Sequence, residues 1–365
     1  MWYESTRQRF VVDIRSARCS EVLENNWTSL CINDWVEEPR YDFRDPTMTA
    51  AADDAGAALI AALAETPAFV RLHDIRFLGS LDYALVDRPN GTRGQARFTR
   101  AQHSFGVAAL ASTYTHAVGL SEKERLIALA AAMLHDVGHA PFSHTLEPLF
   151  VEVFGVNHHS ASESVILGRV PVGAEVPSVL KRFGIDPDDV VAVLNGEDSR
   201  FSGFYSGPIN FDTIEGILRS SQYLKMQDLG LSPERVLLAA IHRSSESHQR
   251  TVDNFWRCKD EMYNVVIRSA PGVLCDLIFL EVAKSSLMRL SAGDFLSTER
   301  RIFEKVPELR AILSRTYSEA ALRDRLPPEV AYEERRFVVD PEGDFFDRQD
   351  RRRYRQTKAM RTLAL

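Results

Sequence analysis

Cysteine is scarce in this sequence, with four in 365 residues, at positions 19, 31, 258 and 275. No two are spaced as Cys-x-x-Cys, which removes the usual pattern of a zinc knuckle or a thioredoxin-like redox pair. Thiols this sparse fit a reducing, cytoplasmic compartment. Long apolar runs are missing as well. None reaches the ~18 residues needed to cross a bilayer, so no membrane partner is expected. The richest run, Leu126 to Leu134, reads as a buried helix. The first twenty residues, MWYESTRQRFVVDIRSARCS, contain neither the apolar core nor the cleavage pattern of a secretory leader. Positive charge is not in excess. Lys and Arg number 44 against 51 Asp and Glu, a formal charge of -7, so nucleic-acid binding over the whole surface is not indicated. A local basic pocket for a phosphate remains compatible with that balance. Strand-like alternation is confined to 9–14 and 336–340, and no repeat or low-complexity tract is visible.

Helical patterns fill the rest, so the fold class is mainly α, a helical bundle with a small β component at the termini. Residues 1–50 read as an irregular lead-in segment, 51–290 as the main domain, and 291–365 as a helical and charged extension. Asp53-Asp54 precede an Ala/Leu-rich run that ends at Pro67, ordinary helix punctuation. Residues 69–78 have nearly helical apolar spacing, and Pro89-Asn90-Gly91 marks a turn. Ser121 with Glu124 forms the capping-box pattern and opens the helix that runs into Leu134-His135-Asp136. Further helices are predicted at 101–118, 144–153, 160–168, 176–184, 187–194, 209–225, 232–241, 251–268 and 273–290. From Ala331 the charge alternates in sign. This suggests a solvated extension, an oligomer contact or a phosphate-contacting arm.

His135-Asp136 is the first sign of chemistry. The pair follows six apolar residues and is followed by Gly138 and Pro141, so it emerges at the buried end of a helix. Polar groups buried there without partners would cost several kcal/mol, and a metal supplies the partner. His103, near the start of an earlier helix, and Asp212, at the start of a later one, complete a two-imidazole, two-carboxylate set. Such a set suits Mn²⁺, Mg²⁺, Fe²⁺, Co²⁺ or Zn²⁺ and leaves positions for water and substrate. No thiolate takes part, which disfavours a structural zinc site.

The ordered set His103 … His135-Asp136 … Asp212 resembles the HD superfamily of metal-dependent phosphohydrolases. The segments FVRLHDIRFLG…RFTRAQHSFGVA, LHDVGHAPFSHTLE (134–147) and INFDTIEGILR (209–219) resemble its deoxynucleoside triphosphate triphosphohydrolase branch. That resemblance covers roughly residues 68–225. It implies a metal-dependent phosphoric ester hydrolase, with a nucleotide as substrate and a homo-oligomer as its assembly. It further implies that His139 lies by the substrate phosphates and that His144 stands beside the leaving oxygen. Glu147 would orient His144, and Arg100 would contact phosphate. His158 or His159 would match a further histidine, with His159 carried as a phosphate contact. The spacing does not separate the two, and the His-His pair also raises a second metal.

The resemblance breaks at two places. Phe77 stands where the branch has a sugar-reading glutamine, and Ser220 stands where it has an aspartate. Lost hydrogen-bond partners weaken discrimination between sugars. The resemblance therefore implies release of triphosphate from a (deoxy)nucleoside triphosphate. The alternatives are a nucleotidase, phosphodiesterase or single-strand nuclease, and a nucleotide-sensing regulatory module.

Overall fold

A computed structural model of the chain describes residues 54–83, 86–87, 93–94, 98–201, 205, 207–224, 230–313 and 326–364. The lead-in segment with its predicted strand at 9–14, and the turn at Pro89-Asn90-Gly91, lie outside the described residues. The architecture is mainly α. Helix α1 (Asp54–Ala64) packs beside α3 (Glu122–Leu134), which runs antiparallel to α2 (Arg100–Ala117). Then follow α4 (Glu147–Phe154), α5 (His158–Ile166), α6 (Val176–Arg182), α7 (Pro187–Leu194), α8 (Phe211–Leu224), α9 (Pro233–His242), α10 (Glu246–Met262), α11 (Ala270–Ser285), α12 (Glu299–Lys305) and α13 (Pro307–Leu313). Strands are few among the described residues. A two-residue ladder pairs β1 (Val86–Asp87) with β2 (Arg93–Gly94), and a long antiparallel hairpin pairs β3 (Glu329–Val339) with β4 (Tyr354–Ala364). No single helix among the described residues is long and apolar enough to cross a membrane.

The helices that carry the site are fixed at their starts by local chemistry. Thr99 caps α2 and Ser121 caps α3, each with a reciprocal capping box, to Gln102 and Glu124. Two orphan backbone donors are satisfied at each end. From Leu126 to Leu134 every residue of α3 is buried. The helix is therefore a core rod, and its C-terminus delivers His135 and Asp136 into the interior.

Residues 69–78 depart from the helical reading. Pro67–Val70 and Arg71–Asp74 form one short α turn and one 3-10 turn, and Ile75 is extended. The cause is tertiary. Arg71 Nη2 donates to the carbonyls of Val137 and His139, at 2.7 Å each, and Arg100 N–H donates to the Ile75 carbonyl at 2.9 Å. Pro67 stands just past the end of α1, as its punctuation predicts, and also opens the next turn.

The charged segment after Ala331 is an ordered hairpin packed on α10. Part of its alternation of sign is pairing across the hairpin, Lys358 with Glu333 at 3.3 Å, Arg361 with Glu334 at 2.9 Å and Arg355 with Asp340 at 3.1 Å, while Arg336 reaches Asp260 on α10 at 2.9 Å. Opposed charges on paired strands stabilise a ribbon by a few tenths of a kcal/mol each. The hairpin is anchored below by a buried bidentate bridge from Arg353 to Asp253, at 3.0 and 2.7 Å. Phe337 meets Trp256 edge-on.

Candidate metal centre

His103 stands on the first turn of α2, fully buried. Its Nε2 lies 3.2 Å from His135 Nε2, 3.1 Å from Asp212 Oδ1 and 3.6 Å from Asp136 Oδ2. His135 Nε2 is also 3.4 Å from Asp136 Oδ1. Ligand-type atoms of His103, His135 and Asp136 thus lie within 4.8 Å of one another, and Asp212, 109 residues after His103 and with a side chain 59% accessible, approaches from the edge through His103 Nε2. The outer nitrogens settle what the inner ones offer. His135 Nδ1 lies 2.8 Å from the Ala132 carbonyl, which can only accept, so Nδ1 carries the proton. His103 Nδ1 lies 2.5 Å from Glu215 Oε2 and donates to it. In their neutral forms both rings then aim an Nε2 lone pair at the other across 3.2 Å, beside two carboxylates. That arrangement is repulsive without a cation between the groups, and it is the donor set a divalent ion takes.

The electrostatics agree. Burial disfavours a charged His103, but Glu215, Asp212 and Asp136 outweigh burial and raise the ring to about 9. The pocket stores enough negative potential to hold a proton there, and a divalent cation is the stronger claimant.

Glu215 is a functional residue the spacing argument does not reach. It lies three residues after Asp212 on α8, one turn along the same face, and is 4% exposed. Arg219 donates to its other oxygen from Nε at 2.7 Å and also binds the Gln102 carbonyl. Gly106 makes room for the carboxylate: a Cβ there would sit 2.3 Å from Glu215 Oε1. The signal in sequence was a lone acid between Ile214 and Ile217 on an otherwise buried helix face.

A match to the HD domain family covers residues 100–183. Residues 100–183 are an HD domain. Similarity extends beyond it. Over 235 residues the chain is 28% identical to a Bacillus subtilis protein, the uncharacterized YwfO, covering 60% of this chain and 51% of that one. Over 146 residues it is 26% identical to the human deoxynucleoside triphosphate triphosphohydrolase SAMHD1, covering 37% and 22%. The chain thus matches about half, or less, of these relatives' lengths. In fold it resembles a phosphohydrolase (BT4208) from Bacteroides thetaiotaomicron, with TM-score 0.59, 14% identity, and 83% and 94% of the two chains covered.

Within the HD domain a second cluster adjoins the first. Single ligand-type atoms of His139, His144, Glu147 and His158 lie within 4.8 Å of one another. Helix α3 ends at Leu134, so His139 does not arrive on a continuing helix. A tight turn, with His139 N–H donating to the Asp136 carbonyl at 3.0 Å, brings it in. His139 Nε2 lies 3.1 Å from Asp136 Oδ1, and its ring stacks on His158 at 4.3 Å. Burial and then the Arg100 charge push its pKa well down, so it is a neutral ring near pH 7. His144 is the exposed member, with a side chain 66% accessible. Its Nδ1 is 3.1 Å from Glu147 Oε2, and His158 Nδ1 is 2.6 Å from Glu147 Oε1. Glu147 is 9% exposed. Burial opposes its charge, but the hydrogen bonds from His144 and His158 outweigh burial and hold the carboxyl far below its ordinary value.

Of the two adjacent histidines, His158 is the one joined to Glu147. His159 lines a cleft of about 140 Å³ that opens onto His135, Asp136 and Asp212, with Val191, Leu194 and Tyr205 on its other wall. Arg100 is buried. Its Nη1 binds Asp136 Oδ2 at 2.5 Å and its Nε donates to Ser143 Oγ at 2.9 Å. Two of its donors are therefore committed to the site itself. Phe77, also buried, lies over the centre, its ring centroid 4.4 Å from that of His103 and 5.0 Å from Arg100 Cζ. Ser220 turns inward and donates to the Gly216 carbonyl at 2.6 Å.

Proposed function

We propose that the chain is a metal-dependent phosphohydrolase acting on nucleotides, releasing triphosphate from a (deoxy)nucleoside triphosphate. The observation that carries the reading is the juxtaposition of the His103–His135–Asp136 cluster, with Asp212 at its edge, and the linked His144, Glu147 and His158. When bound, a divalent ion supplies an electrophile for a phosphoryl oxygen and makes bound water more acidic.

The chain's own residues do the rest. Glu215 and the Ala132 carbonyl fix the tautomers of His103 and His135, so both present Nε2 inward. Arg100 holds Asp136 and adds positive charge where phosphate oxygens gather. Neutral His139, wedged between Asp136 and His158, offers a ring nitrogen without adding charge. Glu147 accepts from His144 Nδ1 and so directs His144 Nε2 outward to solvent and substrate. In the imidazolium form Nε2–H is a proton donor for the departing oxygen, and Glu147 stabilises the charge until transfer. His158, tied to the other Glu147 oxygen, keeps that carboxylate from turning away.

A specific observation favours a second reading, a nucleotidase or phosphodiesterase. Phe77 places a hydrocarbon ring over His103, and Ser220 spends its hydroxyl on its own helix. This face offers no hydrogen bond to a sugar, which weakens recognition of deoxyribose.

Phosphorus NMR of the products, over a panel of nucleotides with Mn²⁺, Mg²⁺, Fe²⁺ and Co²⁺ added in turn, separates the readings. Inorganic triphosphate is expected; monophosphate or cleaved diester supports the second reading. His144→Ala should lower kcat about 10²- to 10⁴-fold. Absence of turnover with every nucleotide and metal rejects both readings.

A further inference from the structure

We infer that Glu299 and Asp276, two carboxylates far outside the HD domain match, are positioning residues that aim His144. This rests on the reading of His144 as proton donor. His144 follows two consecutive non-glycine residues in the left-handed region, Phe142 (φ 59°) and Ser143 (φ 49°). L-residues avoid that conformation, and a pair of them persists only where the surroundings over-determine it. The surroundings here can be named.

Glu299, at the start of α12 and 2% exposed, accepts from Phe142 N–H at 3.1 Å and Arg76 N–H at 2.8 Å through Oε1. Its Oε2 accepts from the Tyr83 hydroxyl. Asp276, on α11, accepts from the Thr145 and Ser80 hydroxyls at 2.6 Å each. Ser80 N–H in turn donates to Thr145 Oγ1 at 3.0 Å. One carboxylate thus grips the residue two before His144, and the other the residue immediately after it. Between them Ser143 Oγ donates to the Arg76 carbonyl at 2.7 Å. Gly79, itself at φ 62°, lies so close that a Cβ would stand 2.2 Å from the Phe142 carbonyl oxygen. The His144 side chain hydrogen-bonds to Glu147, meets the rings of His139 and His158 edge-on and is 66% accessible, so the backbone on either side has a large share in setting where its ring stands.

Contacts to backbone N–H groups and to hydroxyls far away in sequence explain why no side-chain motif reveals this pair. They also give segments 276 and 299 a part in catalysis that a purely structural role would not give them. Their removal should act mainly through His144, although Ser143 Oγ also accepts from Arg100 Nε, which links the turn back to Asp136.

The test compares two substrates: a nucleoside triphosphate, dGTP, whose alkoxide leaving group needs a proton, and bis(p-nitrophenyl) phosphate, whose leaving group does not. Glu299→Ala should lower kcat for dGTP about 10- to 100-fold, part of the general-acid contribution, with KM within about twofold. Loss on the nitrophenyl ester should stay under about threefold, since no protonation is required there. Glu299→Gln keeps an acceptor oxygen for both N–H groups and should restore most of the rate. Added to His144→Ala, Glu299→Ala should cost nothing more, since the two act as a unit. If Glu299→Ala does not fold, Thr145→Val, which removes the Asp276 contact at nearly constant shape, enters the same comparisons with the same expectations.

Equal losses on both substrates, or additive loss with His144→Ala, overturn the inference. A crystal structure of either variant decides it without activity: Phe142 and Ser143 still at positive φ with His144 unmoved also overturns it. If the parent protein turns over dGTP but His144→Ala is as active, the His144 assignment has failed, whereas full His144 dependence with an unaffected Glu299→Ala rejects only the clamp.

Discussion

Glu215 shows how much of a metal centre lies one bond behind the ligands. It would touch no ion, yet it decides which nitrogen of His103 is protonated and so whether Nε2 has a lone pair to give. A carboxylate behind a histidine also raises the ring's basicity and locks its orientation, and loss of such a partner commonly costs 10- to 100-fold in metal affinity. Glu215→Ala should therefore weaken Mn²⁺ binding about 10- to 100-fold, read by isothermal titration calorimetry. Arg219 is then left without its carboxylate partner on α8, so Glu215→Gln, which preserves the contact shape and an acceptor oxygen, should lie between parent and alanine variant. Affinity unchanged in both variants means that the Ala132 contact and packing against Phe77 suffice to orient the rings. The same logic separates residues that can be read from spacing from those that cannot. His144 and Glu147 stand three apart and meet, and the ligand set follows from a motif. Glu215 needs the knowledge that its helix face points at His103. Asp276 and Glu299 bind backbone and hydroxyl groups 131 and 157 residues away, and no local pattern encodes that.

Secondary structure is legible where capping and periodicity act alone. The predicted 187–194 helix is the observed one, and 209–225 and 232–241 lie within two residues of α8 and α9 at each end. Prediction fails where a distant group competes. Arg71 pulls 69–78 out of the helix, and the charged tail becomes a ribbon whose charges find partners across the hairpin and on α10. That ribbon also buries a cation. Phe337 of β3 and Trp256 both contact Lys259 Nζ, at 4.7 and 4.9 Å from their ring centres. Its hydrogen bond to the Pro208 carbonyl is a long one, 3.4 Å. Burial pulls the lysine down to about 8, against the attraction of Asp212. A base with a lowered folded-state pKa binds its proton more tightly in the unfolded chain. Between about 8 and the ordinary 10.5 the unfolded state carries more protons, so stability rises with pH across that window and is flat below it. Lys259→Met should abolish that rise and stabilise the metal-free protein at pH 7 by about 1–3 kcal/mol, measured by urea unfolding at pH 7 and pH 10. An equal pH 7-to-10 increment in parent and variant would contradict it.

At the scale of the whole molecule an ion held at the candidate centre would also be a fastener. His103 begins α2, His135 and Asp136 end α3, and Asp212 begins α8, so one ion would tie three helices whose contacts otherwise span the middle of the core. An ion that binds the native state and not the unfolded chain stabilises by mass action, about 2.7 kcal/mol at 100 times its Kd. Chelation should therefore lower the melting temperature by several degrees, with each kcal/mol giving roughly 2–4 °C in a chain of this class. The loss should also be local. The packing of α12 and the Arg353–Asp253 anchor of the hairpin do not run through the ligands, and the Phe142–Ser143 turn is tied to Glu299 independently of them. Hydrogen exchange after chelation should accelerate in residues 135–139 and in the first turn of α8, and stay unchanged in α12 and in β3–β4. Asp212→Ala, which removes the most exposed ligand (side chain 59% accessible), should leave a folded protein whose melting temperature no longer responds to Mn²⁺ at concentrations that saturate the parent. If the parent melts at the same temperature with and without chelator, and its exchange pattern does not change, the four groups do not form a metal centre, and the lone pairs that face each other across 3.2 Å must instead share a proton on His103.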